Sequence, residues 1–249
     1  IYNERLNLGR QVFKKVLKAI EKDLKNTVFS YIPNTAEVSY FGMMQEASRY
    51  LNTVKSEKIK SLGKNPKIDQ INNIMDISPR AEKIAIKDAK LRTFITSDVN
   101  RDDLVAHVYD ITYGKVSSSD NLVMIDDSIV RGTTLKQSII RILDRLGPKK
   151  IVVVSSAPQI RYPDCYGIDM SKMNQFVAFR ALIKLIKDRK MDNLIDETYQ
   201  ACKNSLNKNK PINHVKTLYD KFSYDDISKY VAKIVKPKEM KSQFQIIYQ

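Results

Sequence analysis

The chain has 249 residues, 43% apolar and 29% charged, which is enough to bury a substantial core in one large domain and too polar for a membrane span. Forty-three Lys and Arg against 28 Asp and Glu give a formal net charge of +15, which raises nucleic acid, a membrane surface or an anionic small substrate as partners. The excess is dispersed over Lys14-Lys15, 55–67, 149–150 and 203–216, with no RNA-binding, zinc-finger or basic-zipper signature beside it, so we read it as solvated surface and set nucleic acid aside.

The opening Ile1-Tyr2-Asn3-Glu4-Arg5 carries neither a signal peptide nor an initiating Met, so a cytoplasmic fragment of a longer protein is expected. Residues 3–22 hold Leu6, Val12, Phe13, Val16, Leu17 and Ile20 at helical spacing. A short strand over 28–32 is stopped by Pro33, and a helix over 35–51 follows. The polar, lysine-rich stretch 52–79 carries two prolines and reads as an insertion or excursion. Residues 83–86 read as a strand and 101–109 as a short helix.

The apolar run 121–125, flanked by polar residues, has the pattern of a strand buried in a parallel sheet. Leu135, Ile139, Ile142, Leu143 and Leu146 then mark a helix closed by Gly147-Pro148, and 151–155 is the next strand. Strand, loop, helix, strand implies a right-handed parallel crossover. Helices over 174–189 and 191–206, a polar linker through Pro211, and a helix over 224–235 capped by Ser223 complete the chain, with 244–248 reading as a strand cut off from its context. The fold class is therefore α/β, an open, mainly parallel sheet flanked by helices, with a helical C-terminal extension. The expected domains are 1–190, with 52–79 inserted, and a truncated extension and linker over 191–249. Cys165 and Cys202 match no zinc or disulfide spacing and read as reduced thiols.

The chemistry concentrates between the strand at 121–125 and the helix after it. There the sequence reads Asp126, Asp127, Ser128, Ile129, Val130, Arg131, Gly132, Thr133, Thr134. The carboxyl end of a strand is where open α/β sheets bind ligands. Gly132 permits tight curvature, and Ser128, Thr133 and Thr134 add hydroxyl donors to the N–H groups of a helix start, a nest suited to phosphate. Two adjacent carboxylates would repel that phosphate unless they face ribose hydroxyls or a divalent cation. The combination specifies a sugar phosphate. The alternative, a turn in which Asp126 or Asp127 merely caps the helix, needs neither Gly-Thr-Thr nor a second acid.

The run 123–134, Val-Met-Ile followed by these nine residues, closely resembles the phosphoribosyl-pyrophosphate (PRPP) motif of type I phosphoribosyltransferases, in the version carried by the glutamine PRPP amidotransferases that open purine biosynthesis. The resemblance continues through 156–163 and 165–170 and is weaker at 92–95, 32–35 and 1–9. It implies that Asp126 and Asp127 hold the ribose hydroxyls and Mg²⁺, that Ser128 to Thr134 bind the 5-phosphate, and that Thr35 approaches the pyrophosphate and its metal. It assigns catalytic roles to Lys87 and Arg92, on a flexible loop that closes over PRPP, excludes water and helps form an ammonia channel. It also implies PRPP and purine nucleotides as ligands, an N-terminal glutaminase domain in the same longer chain, and a homo-oligomer.

The sequence departs from the family at Pro33-Asn34-Thr35-Ala36, where an acid and a hydroxyl are missing, and at Lys87-Asp88-Ala89-Lys90-Leu91, which is one residue shorter. Residues 108–113 replace a basic helix, and 52–79 has no counterpart. His107 and His214 are isolated and read as structural or surface residues. Cys165 is offset from an iron–sulfur ligand position and is followed by no Cys-x-x-Cys, so no cluster is expected. Arg161 reads either as a contact to another domain or as half of a surface salt bridge.

Overall fold

The computed structural model describes residues 1–87, 109–133, 135–164, 172–206 and 212–249. Helix α1 (Tyr2–Ala19) buries Leu6, Val12, Phe13 and Val16 on one face, as their spacing dictates. Strand β1 (Thr27–Tyr31) is buried throughout. Helices α2 (Glu37–Ser61) and α3 (Ile68–Met75) and the short strand β2 (Arg80–Ala81) follow. Strands β3 (Ala85–Lys87) and β4 (Tyr109–Ile111) pair antiparallel as a separate ribbon. Next come β5 (Asn121–Asp126), a π-helical turn (Leu135–Ile139) running into α4 (Ile140–Asp144), and β6 (Lys150–Ser155). Helices α5 (Val177–Asp188), α6 (Asn193–Ser205), α7 (Val215–Asp220) and α8 (Tyr224–Val235) lead to β7 (Gln243–Tyr248).

The main sheet has the order β2-β1-β5-β6-β7, and every neighbouring pair is parallel. Alternate residues of its strands feed two cores. Leu122 and Met124 of β5, Ile151 and Val153 of β6 and Ile246 of β7 pack with Leu182, Ile186, Ile227 and Val231 of α5 and α8. Val123, Ile125, Val152, Val154 and Ile247 pack on the other side with Val12, Val16, Met43 and Ala47 of α1 and α2. A sheet covered on both faces demands strands apolar at every position, which is why these runs do not alternate with polar residues.

Two expectations are corrected, and a third lies almost wholly outside the described residues. The stretch 52–79 holds helix: α2 continues to Ser61 because no Gly or Pro interrupts it before Gly63, although Leu51 is its last buried residue, and α3 buries none. The strand over 244–248 is not cut off from its context. It pairs with β6 in the register Ile151↔Phe244 to Ser155↔Tyr248, so the described residues of 191–249 supply a fifth strand as well as three helices. Of the helix expected over 101–109, only Tyr109 lies within the described residues, and it opens strand β4.

Candidate active site at the end of the central strand

The strand order puts a topological switch point between β1 and β5. The chain leaves β1 toward β2 on one side and returns to build β5, β6 and β7 on the other. Crevices outside the carboxyl ends of such strands are the ligand sites of open α/β sheets. Two segments meet there. The turn 33–36 leaves β1, held beside β5 by the Ile32 N–H, which donates to the Ile125 carbonyl at 2.8 Å. Thr35 is exposed on this turn. Asp126 ends β5 and opens the loop.

The acidic pair is fixed by its backbone. Past the end of β6, Ser156 N–H donates to the Asp126 carbonyl at 2.9 Å and Ala157 N–H to that of Asp127 at 3.0 Å. The Ser156 hydroxyl adds a bond to the Asp127 carbonyl at 3.2 Å. Each carboxylate also accepts from the next N–H: Asp126 Oδ1 from Asp127 at 2.9 Å and Asp127 Oδ1 from Ser128 at 2.6 Å. Burial, reinforced by the neighbouring Asp127 charge, pushes the Asp126 carboxyl up to about 7.

The loop beyond is anchored from below. Ile129 is buried, the Val130 carbonyl accepts from Val177 N–H at 2.8 Å, and the Arg131 carbonyl accepts from the Arg180 guanidinium at 2.6 Å. Gly132 has φ +70° and a Cβ there would stand 2.8 Å from Cγ1 of Val235, so both conformation and space require glycine. Its carbonyl accepts from Lys136 N–H at 3.1 Å, which starts the following turn. Thr133 lies exposed on the outer side and Ser128 is half-buried.

Tyr109 joins the site unforeseen. Burial, then the charges of Asp126 and Asp127, push its phenol upward, so it lies within their field. Lys87 stands opposite Tyr109 across the β3–β4 ribbon, and the ribbon is tied to the main sheet by Ile84 N–H donating to Ser30 Oγ at 3.0 Å. The missed signal was the alternation Tyr109, Ile111, Tyr113 against Asp110 and Thr112, a strand period of two. Arg92, Thr134, His107 and Cys165, with the rest of the expected lid over 88–100, lie outside the described residues.

Two other readings resolve away from the site. Arg161 forms no salt bridge among the described residues. Its guanidinium lies 4.6 Å from the ring centroids of both Tyr219 and Tyr224 and donates from Nε and Nη2 to Gln159 Oε1 at 3.1 and 2.9 Å. His214 is the N-cap residue of α7, and its Nε2 is buried without a partner among the described residues.

Asp126, Asp127 and the Thr35 hydroxyl offer the hard oxygen donors that Mg²⁺ takes. Among the described residues no group of three or more His, Cys, Asp and Glu gathers, so an ion here would complete its shell with substrate oxygens and water.

No protein-family model matches the chain. Curated relatives include the amidophosphoribosyltransferase of Pasteurella multocida, 41% identical over 92 residues that make up 36% of this chain and 18% of the relative. The amidophosphoribosyltransferase of Escherichia coli is 48% identical over 58 residues, 23% of this chain and 11% of the relative. The match therefore spans less than a fifth of these relatives' length. Among solved structures, the glutamine PRPP amidotransferase from B. subtilis complexed with ADP and GMP is similar at a TM-score of 0.48 and 23% identity, covering 75% of this chain and 33% of that one. The resemblance to amidophosphoribosyltransferases read from the motif is borne out by the curated relatives.

Proposed function

We propose that this chain is the PRPP-binding phosphoribosyltransferase domain of a cytoplasmic, oligomeric amidophosphoribosyltransferase. It forms 5-phosphoribosylamine from PRPP and ammonia, with a glutaminase domain of the same longer chain delivering the ammonia from glutamine. The observation that carries the reading is the position of Asp126 and Asp127, at the end of the central strand and ahead of a loop that requires Gly132. No helix among the described residues is long and apolar enough to cross a membrane.

In this reading the ribose hydroxyls donate to Asp126 and Asp127, and the 5-phosphate sits on the N–H and hydroxyl donors of the loop Ser128 to Thr134. Asp126, Asp127 and Thr35 would hold Mg²⁺, which would supply charge neutralisation at the pyrophosphate. Nitrogen attacks the anomeric carbon as its bond to the pyrophosphate oxygen breaks, so the residues position the sugar and leave the leaving group to nearby cations such as Lys87. Tyr109, whose phenol lies within the field of the two carboxylates, would shield the ribose from water.

The test is pyrophosphate release from PRPP with ammonium and Mg²⁺, beside calorimetry of PRPP binding. Asp127→Asn is expected to weaken PRPP at least tenfold, about 1.4 kcal/mol. Unchanged affinity would remove the site assignment. A second reading, a catalytically impaired nucleotide-binding module, is favoured by the missing acid and hydroxyl at Asn34 and Ala36. Tight PRPP binding without pyrophosphate release would select it.

A further inference from the structure

The segment that grips the acidic pair is itself gripped by the C-terminal helices. Ser156 and Ala157, whose N–H groups bond the Asp126 and Asp127 carbonyls, lead within the same short segment to Gln159, a polar side chain only 5% exposed. A side-chain amide has two donor hydrogens and an oxygen with two lone pairs. In Gln159 all of them are engaged. Its Nε2 donates to the Tyr224 carbonyl and to Ser228 Oγ, each at 2.9 Å, and its Oε1 accepts from Nε and Nη2 of Arg161. The Gln159 backbone N–H donates to the Tyr224 hydroxyl.

Arg161 is held in turn. The ring centroids of Tyr219 on α7 and Tyr224 on α8 both lie 4.6 Å from its guanidinium, and the Tyr219 hydroxyl donates to its carbonyl at 3.4 Å. Tyr219 is 1% exposed and meets the Tyr162 ring edge-on at 5.6 Å. A planar fork that can stack on aromatic rings while donating twice to one oxygen is a property of arginine and not of lysine.

Helix α8 meets the site a second time at its far end, where Val235 stands against Gly132 of the loop. Covering the sheet would need only the apolar face of this helix, on which Ile227, Val231 and Val235 are buried. The bonds from Tyr224 and Ser228 add something that apolar packing does not supply, because a fully satisfied buried polar network fixes its members in one arrangement.

We propose that Gln159 is a positioning residue for the acidic pair. Clamped by Tyr224, Ser228 and Arg161, it fixes the segment whose N–H groups set where Asp126 and Asp127 stand, so the C-terminal helices are part of the site. The proposal rests on the reading of the Asp126 crevice as the PRPP site. A misplacement of about 1 Å can cost on the order of 100-fold, so slack in the clamp is felt at the ligand.

Two measurements on the full chain separate the clamp from the reading beneath it. Amide hydrogen exchange needs no ligand: in Gln159→Leu the Ser156 and Ala157 N–H groups should exchange roughly tenfold faster, beyond any change at Val123 in the middle of β5. Calorimetry with PRPP and Mg²⁺, at a temperature where every variant is folded, should show Gln159→Leu binding about fivefold more weakly. Asp120→Asn, which disrupts the ion pair to Arg80 at the opposite end of β5, should lower the melting temperature at least as much but change PRPP affinity less than about twofold, which a merely structural role for Gln159 would not allow. If Gln159→Leu loses its native circular dichroism, Tyr224→Phe, which removes the hydroxyl and keeps the ring, should still speed exchange at Ser156 and Ala157 and weaken PRPP about threefold. Parent-like exchange at those two amides, or equal losses of affinity in Gln159→Leu and Asp120→Asn, would overturn the proposal. A parent chain that binds no PRPP would remove the reading of the crevice, and the exchange rates would still decide whether Gln159 holds the acidic pair.

Discussion

Asp126 is easily recognised in the sequence as half of an acidic pair, yet its most consequential property depends on neighbours far away in the chain. Segments following β1 and β6 close around it, and burial beside Asp127 raises its carboxyl from 3.8 to about 7. Between those two values the folded chain binds more protons than the unfolded one. Without ligand, stability therefore falls as pH rises through this window, and above about pH 7 the full cost of the buried charge remains. Asp126→Asn keeps the oxygen that accepts from Asp127 N–H and removes the charge. We expect the variant to melt a few degrees higher than the parent at pH 8 and no higher at pH 4, while losing PRPP affinity. Melting curves at the two pH values check this, and the same difference at both would contradict it. Tyr109 carries the same lesson: its identity is in the sequence, but the ribbon that brings it to the carboxylates is made by pairing with Lys87.

Among the elements, those whose apolar residues decide their conformation were legible. The strands at 121–125 and 151–155 and the helix over 224–235 announce themselves by unbroken or helically spaced apolar residues. Ser223 caps that helix as expected, its hydroxyl accepting from Asp226 N–H at 3.0 Å. The outer half of α2 was illegible because a polar helix that buries nothing after Leu51 resembles a loop in composition. The loop after β5 falls between these cases. Its glycine was read as a need for curvature, whereas the structure adds a steric reason supplied by Val235, more than 100 residues away. Gly132→Ala should cost about 1–3 kcal/mol, from the left-handed conformation together with the contact to Val235. Adding Val235→Ala should relieve the contact and leave the conformational cost, so the pair should be less than additive. Urea unfolding of the three variants measures this, and strict additivity would show that the contact carries none of the strain.

At the scale of the whole molecule, the sequence supplied the α/β class but not the place of its last strand. A parallel neighbour is chosen by packing across long separations, and here Ile246 and Ile247 of β7 join the two cores on either face of the sheet. The sheet so completed presents one candidate reaction centre, and its chemistry limits what the isolated chain can consume. Releasing ammonia from glutamine requires an activated nucleophile, in practice a thiol or hydroxyl paired with a base. Cys202 is a free thiol on α6, and no hydrogen bond joins it to His214, whose Nε2 has no partner among the described residues. Displacing pyrophosphate from PRPP requires no such group, only a positioned sugar, charge neutralisation and a nitrogen nucleophile. The 249-residue chain is therefore expected to release pyrophosphate with ammonium at alkaline pH, where free ammonia is abundant, and to form no glutamate from labelled glutamine under the same conditions. Cys202→Ala should leave the ammonium rate unchanged. Glutamate formation that disappears in Cys202→Ala would place a glutaminase centre within this chain and refute the division of labour, whereas activity with ammonium alone would support the Asp126 crevice as a synthase site fed from elsewhere.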